Sequence, residues 1–403
     1  MGGRGLGPYL GCALGWSVPL PSAGPPWVLD RKDLGLLLAS LRASGYRVIG
    51  PRVRDGAILY DEVKEEGELP IGWRDRQEAG TYRLERSEDL RVFDFHLGPQ
   101  GWKPYLFPPH HLLWTARKDG GTFRVEAGAT TDGGPLAFLG VRACEVAALR
   151  ISERVFEGGV PDPTFRDRRA SLLIVAVECS SSAPTCFCPS MRTGPEVTEG
   201  FDIVLRELFS PWGHRFLVEA GTDRGRELLQ PLPLRAAAEE DLADLEAQRQ
   251  RVREGIHRGL PVEEARGVIL ANLEHPRWEE VGRRCLACAN CTMVCPTCFC
   301  STTEEVPSLS GEKTQRYRRW DSCFGLGFTQ LHASSVRSSI PSRYRQWMSH
   351  KLATWWDQFG SSGCVGCGRC ITWCPVGIDF TEEFAALRTK AASTGSRAGG
   401  VPA

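Results

Sequence analysis

The stretches "CLACANCTMVCP" (residues 285–296) and "CVGCGRCITWCP" (364–375) decide what kind of chain this is. Each spaces its cysteines C-x2-C-x2-C-x3-C-P: Cys285, Cys288, Cys291 and Cys295 in the first, Cys364, Cys367, Cys370 and Cys374 in the second. Three thiolates at that pitch can wrap a short loop round three irons of a cubane. The fourth projects from the helix that follows, and the proline stops that helix folding back. Ala287, Ala289, Gly366 and Gly368 have little or no side chain, so backbone N–H groups can approach the cluster sulfurs. Where two such runs share a chain, the fourth cysteine of each serves the other cluster. The spacing therefore predicts one [4Fe–4S] cluster on Cys285, Cys288, Cys291 and Cys374, and a second on Cys364, Cys367, Cys370 and Cys295. Structural zinc, the competing metal, pairs two C-x2-C knuckles across a longer loop, and four cysteines this close would crowd its tetrahedron.

The rest of the composition agrees with clustered thiolates. Sixteen cysteines in 403 residues, most of them two or three positions apart, suit converging ligands better than cross-links and imply a reducing, cytoplasmic compartment. A 42% hydrophobic and 24% charged chain is of ordinary globular make-up. Its 49 basic and 49 acidic residues cancel, which argues against a general polyanion binder. No run reaches the roughly 18–20 apolar residues of a membrane span; "SLLIVAVEC" (171–179) has the length of a buried strand. Residues 1–27 are broken by proline and glycine and are expected to be a disordered extension, with Cys12 in it no ligand. Their "GGRGLG" follows no strand and so does not read as a nucleotide loop.

An α/β N-terminal domain is expected over 28–235. Leu34, Leu37, Leu38 and Leu41 recur at helical spacing behind Asp30, and Gly45 closes the helix. Strands follow near Tyr46–Ile49 and Ala57–Tyr60. The apolar runs opening 135–156 and 169–188 read as buried strands, the first continuing into a helix, and 201–208 and 214–220 add further elements. Residues 236–261 read as an exposed helical linker, acidic first and basic last. The segment 262–391 is then a dicluster ferredoxin-like domain, and 392–403 a flexible tail. Between its two cysteine runs sits a basic insertion. From Lys313 to Lys351 it holds eight Lys/Arg against one acid, Asp321, which reads as a sheath over anionic clusters or a face for an acidic partner rather than a nucleic-acid surface.

The pentapeptide PTCFC occurs at 184–188 and again at 296–300. Cys144 and Cys179 lie at the ends of predicted buried strands, where ligands gather in open α/β sheets. With Cys186 and Cys188 they supply four thiols for a third [4Fe–4S] cluster. Two alternatives stay open: one site shared by both CFC pairs, or buried thiols acting as small hydrophobes. In the second copy Cys298 and Cys300 have only Cys323 nearby, three ligands where four are wanted.

Taken together, "CLACANCTMVCPTCFC", "RRWDSCF", "RYRQWMSHKL", "CVGCGRCITWCPVGID", "LPIGWRDRQEAGTYRL", "GPQGWKPYLFPP", "GVRACEVAAL" and "CFCPSMRTGP" resemble the β subunit of cytoplasmic sulfhydrogenase-type nickel–iron hydrogenases. The A subunit of anaerobic sulfite reductase is similar. The likeness spans about 28–390, and Glu145 stands where many relatives have Asp. The resemblance implies an iron–sulfur electron-transfer subunit without substrate turnover of its own. It would work between a flavin-bearing NAD(P)H-linked subunit and the small and large subunits of a nickel–iron hydrogenase, or a sirohaem sulfite reductase subunit. The eight ferredoxin cysteines carry over position by position, and Cys144, Cys179, Cys186 and Cys188 match family positions too.

Overall fold

The computed structural model describes residues 26–96, 98–128, 134–332 and 334–389. Most of the expected N-terminal extension and the whole tail lie outside them, but Trp27 opens the first strand. In chain order the strands are β1 (Trp27–Asp30), β2 (Arg47–Arg54), β3 (Ala57–Glu62), β4 (Trp73–Glu78), β5 (Thr81–Arg86), β6 (His110–Asp119), β7 (Thr122–Ala127), β8 (Leu136–Val141), β9 (Leu173–Val177), β10 (Ile203–Ser210), β11 (Gly213–Ala220), β12 (Arg235–Ala236), β13 (Ser301–Pro307), β14 (Lys313–Trp320), β15 (Gln330–Leu331) and β16 (Ser334–Ser335).

Eight strands make one sheet in the order β12–β1–β11–β10–β9–β8–β2–β3. Its centre, β10–β9–β8–β2, is parallel, and antiparallel strands extend it on both sides. Every residue of β8 and β9 is buried because helices cover both faces. On one face lies the helix Leu34–Ala43, whose four periodic leucines enter the core with Leu139, Val175 and Phe216. On the other lies the helix Ala143–Glu157, with Val146 and Leu149 against Phe138 and Ile174. The N-terminal region is α/β, as its apolar runs implied.

The second sheet, β13–β14–β6–β7, was not foreseen. Its two halves come from residues 301–320 and 110–127, so it crosses the division expected between the two domains. The basic insertion therefore opens with one strand of a hairpin, β14, that has a sheet to complete, and much of its charge is engaged. Arg316 pairs with Glu305 at 2.6 Å, Arg319 with Glu304 at 3.2 Å, Arg345 with Glu274 at 3.0 Å, and Arg318 with Asp162. Such partly exposed pairs add little stability, but they leave less free charge than the sequence suggested.

The expected linker is a helix over Glu239–Glu254, with acids in its first turn and Arg251 and Arg253 in its last. It is not simply exposed. Asp241, Leu245, Gln248 and Val252 are buried on one face, because this helix supplies a counter-charge to the sheet. Glu178, directly after β9 and 2% exposed, accepts hydrogen bonds from Arg206 at 2.9 Å and from Arg249 of this helix at 2.8 Å. Beyond it the helices Val262–Ala271, Arg277–Arg284 and Ile340–Ser349 close over Ile269, Trp278, Val281, Tyr344, Trp347 and Met348. Among the described residues no helix is long and apolar enough to cross a membrane.

Replacing Arg249 by Leu leaves Glu178 with one guanidinium instead of two. The expected loss is about 1–2 kcal/mol, less than for a fully orphaned charge, measured by anaerobic urea unfolding of the full chain.

Candidate metal centres

The two cysteine runs have the same backbone. Ala287 and Ala289 take φ of 51° and 66°, and their counterparts Gly366 and Gly368 take 65° and 74°. These left-handed residues curl each loop round its thiols before a short helix begins, Asn290–Met293 in one run and Arg369–Thr372 in the other. The curl turns amides toward sulfur. The Ala287 N–H donates to Cys285 Sγ at 3.4 Å, and the Gly366 N–H donates to Cys364 Sγ at 3.4 Å. The Ile378 N–H donates to Cys374 Sγ at 3.3 Å.

Each loop bounds an apolar cavity, and each cavity borrows a cysteine from the other run. Cys285, Cys288, Cys291 and Cys374 line the first, with Phe324, Tyr344 and Ile378. Cys364, Cys367, Cys370 and Cys295 line the second, with Phe187, Val365 and Lys351. Cys370, Trp347 and Phe380 belong to the walls of both. The eight cysteines of the two runs thus line two adjoining cavities, with Cys370 reaching both.

The upstream cysteines also converge. Cys144 is the second residue of the helix that follows β8, and Cys179 lies two residues beyond β9. They sit at the carboxyl ends of neighbouring parallel strands. Cys144 has Cys188, Cys179 and Cys367 for neighbours, and Cys186 has Cys179 and Cys367. Each CFC pair has its own company: Cys298 faces Cys295, and Cys300 faces Cys323. Burial pushes the Cys186 and Cys364 thiols up to about 12, so loading metal there must release their protons. Among the described residues no three Cys, His, Asp or Glu side chains converge on the point that a single ion would occupy. Thiolates at the corners of a cubane stand farther apart than those round one zinc, so these sets fit clusters better than ions.

The upstream site and the second ferredoxin loop are in direct contact. The Phe187 N–H donates to the Gly366 carbonyl at 2.9 Å, and Thr193 Oγ1 donates to the Val365 carbonyl at 2.6 Å. The approach is so close that a Cβ on Gly366 would lie 2.7 Å from the Cys188 backbone, and one on Gly368 2.4 Å from the Thr185 carbonyl oxygen. An ion pair secures the junction. Arg369, between Cys367 and Cys370, donates at 2.6 Å to Glu145, the neighbour of Cys144; their side chains are 0% and 1% exposed. Glu145 also accepts from Trp102 Nε1 at 2.9 Å and from Tyr60 Oη at 3.2 Å, while Arg369 donates to the Gly98 and Gln100 carbonyls. Burial works against the charge of Arg369, but Glu145 and Cys367 outweigh it and hold the guanidinium above its ordinary range. Neither partner was singled out as functional in the sequence; the pair arises from positions 224 residues apart.

Residues 284–378 match the family model described as a 4Fe-4S dicluster domain. The chain is also 29% identical over 341 residues to "Sulfhydrogenase 2 subunit beta" of Pyrococcus furiosus, covering 82% of this chain and 95% of that protein. This chain is similar to a sulfhydrogenase β subunit over most of its length. No solved structure matches it significantly. The dicluster match takes in the basic hairpin as well as both runs, and the β-subunit likeness extends well beyond the dicluster segment.

Ala287 and Ala289 show that a left-handed residue here need not be glycine; closeness to the PTCFC loop is what demands it at 366 and 368. Gly368→Ala should therefore destabilise the protein by about 2–4 kcal/mol through overpacking against backbone, whereas Ala289→Gly should stay within about 1 kcal/mol of the parent. Anaerobic denaturation of both variants measures the difference.

Proposed function

We propose that this protein is a one-electron relay, holding [4Fe–4S] clusters on Cys285/Cys288/Cys291/Cys374, on Cys364/Cys367/Cys370/Cys295 and on Cys144/Cys179/Cys186/Cys188. The observation that carries this reading is contiguity. The first two thiol sets share walls, and the second abuts the third backbone to backbone. When bound, the clusters supply the redox chemistry. The chain's own residues keep the sites dry with Phe187, Trp347 and Phe380, point amides at sulfur, and hold the spacing rigid through Arg369 and Glu145.

One end of the line reaches the surface. Cys288 is exposed, and Leu286 beside it is 61% exposed, which suits electron exchange with a docked protein. The likeness to a sulfhydrogenase subunit supports a multi-subunit assembly, and the partners we propose are a flavin-bearing NAD(P)H-linked subunit and nickel–iron hydrogenase subunits in the cytoplasm. An anaerobic sulfite reductase complex is the alternative.

Two substitutions test the ligand sets. Cys374→Ser should alter the electron paramagnetic resonance of the cluster on Cys285, Cys288 and Cys291; an effect confined to the other ferredoxin cluster would mean that each run is self-contained. Cys186→Ser should remove about four irons per chain and leave the ferredoxin pair intact. An unchanged iron content would make that PTCFC structural.

A further inference from the structure

The second PTCFC copy belongs to none of these three sets, yet its conformation is that of a binding segment. Phe299 turns into an aromatic nest, with its ring centre 5.4 Å from that of Trp355 and 6.1 Å from that of Phe359. Cys298 and Cys300, on either side of it, both lie near Lys351 and Lys103. The β13–β14 hairpin brings a third thiol to them. Its register pairs Ser301 with Trp320, and the Asp321 N–H donates to the Cys300 carbonyl at 2.8 Å. Cys323, 9% exposed, therefore folds back against Cys300. Cys298 lies against Cys295.

Two ammonium groups face these sulfurs. Lys351 is 3% exposed, and its Nζ donates to Thr297 Oγ1 at 3.0 Å and to the Gly363 carbonyl at 3.1 Å. Lys103 donates to the Cys298 carbonyl at 3.2 Å and to the Met293 carbonyl at 3.4 Å, with Nζ 3.9 Å from the centre of the Trp320 ring. These four acceptors are neutral, and Lys351 also lies against the Cys295 sulfur. Among the described residues neither lysine has a carboxylate within ion-pair distance; the charged or titratable groups they face include Cys295, Cys298, Cys300, Cys323, Cys364, His350 and each other. A buried ammonium without a counter-charge costs several kcal/mol, and here two are brought together. The anions that can balance them are thiolate and cluster sulfur.

We infer that Cys298, Cys300 and Cys323, set against Lys103 and Lys351, hold a further iron–sulfur cluster through three thiolates, leaving one iron to a non-cysteine ligand such as solvent. The count of three rests on the reading above, in which Cys295 serves the second ferredoxin cluster. Three thiolates on a doubly positive cubane core leave one negative charge, and one-electron reduction makes it two, which the two lysines match. They should therefore ease reduction at this site, and the iron without a cysteine should be the first lost on oxidation.

The test uses the full chain purified and reconstituted without air. About sixteen irons per chain are expected, and Cys323→Ser should lose about four while the signals of the other clusters persist. Mild oxidation of the parent should give the resonance of a three-iron cluster that Cys323→Ser lacks. Should that variant fail to fold, Lys103→Met keeps every thiol and should move the midpoint potential of that resonance to a more negative value. About twelve irons with Cys323→Ser unchanged, no three-iron resonance, or one indifferent to Lys103→Met would overturn this inference and leave the relay reading standing. A chain that takes up no iron would end both.

Discussion

The close approach of the loop around Gly366 and Gly368 to the loop around Thr185 and Cys188 is the constraint on which the rest of the protein depends. Two backbones cannot come this near across a side chain, so glycine stands at both positions where a Cβ would lie within 2.7 Å of the opposing chain. Everything at the junction serves that contact. Thr372 donates to Gln77 Oε1 at 2.8 Å, and Thr185 donates to Thr372 Oγ1 at 2.9 Å. Arg369 locks onto Glu145, 224 residues away. The result is that the thiols at the sheet's carboxyl edge and those of the second ferredoxin loop form one continuous body rather than two tethered ones. Electron transfer between centres requires that kind of fixed spacing, and a flexible linker would not provide it.

Buried charge follows a related logic. Carboxylates near the junction are matched to arginines: Glu145 to Arg369, and Glu178 to Arg206 and Arg249. Lys103 and Lys351 depart from the pattern, because their neighbours are sulfurs and neutral oxygens. Arginine suits the first task because its planar fork fits a carboxylate, and lysine the second because a compact ammonium can sit beside several sulfurs at once. The basic insertion divides the same way. Several of its arginines form ion pairs on the outer sheet, while Lys351 turns inward.

By itself the sequence determined what depends on local spacing. The C-x2-C-x2-C-x3-C-P runs dictate two loops of one geometry, because residues two to four apart settle how a short chain wraps a cube. The apolar runs over 136–141 and 173–177 were legible as buried strands, since only a strand covered on both faces reads as continuously hydrophobic. Cys144 and Cys179 thereby became candidates. Tertiary structure decided what depends on register between distant segments. The pairing of the basic hairpin with β6 has no local signature, for β6 and β14 are polar strands of a sheet joined across some 200 residues. The buried face of the helix Glu239–Glu254 was hidden for a related reason: it carries only two apolar residues, Leu245 and Val252, beside Asp241 and Gln248, and its anchor is Arg249 reaching Glu178 just past β9. The two PTCFC copies show the division most plainly. They are identical as sequence, yet one meets Cys144 and Cys179 at a sheet edge and the other meets Cys323 and two lysines, because a pentapeptide carries its own thiols but not its neighbours.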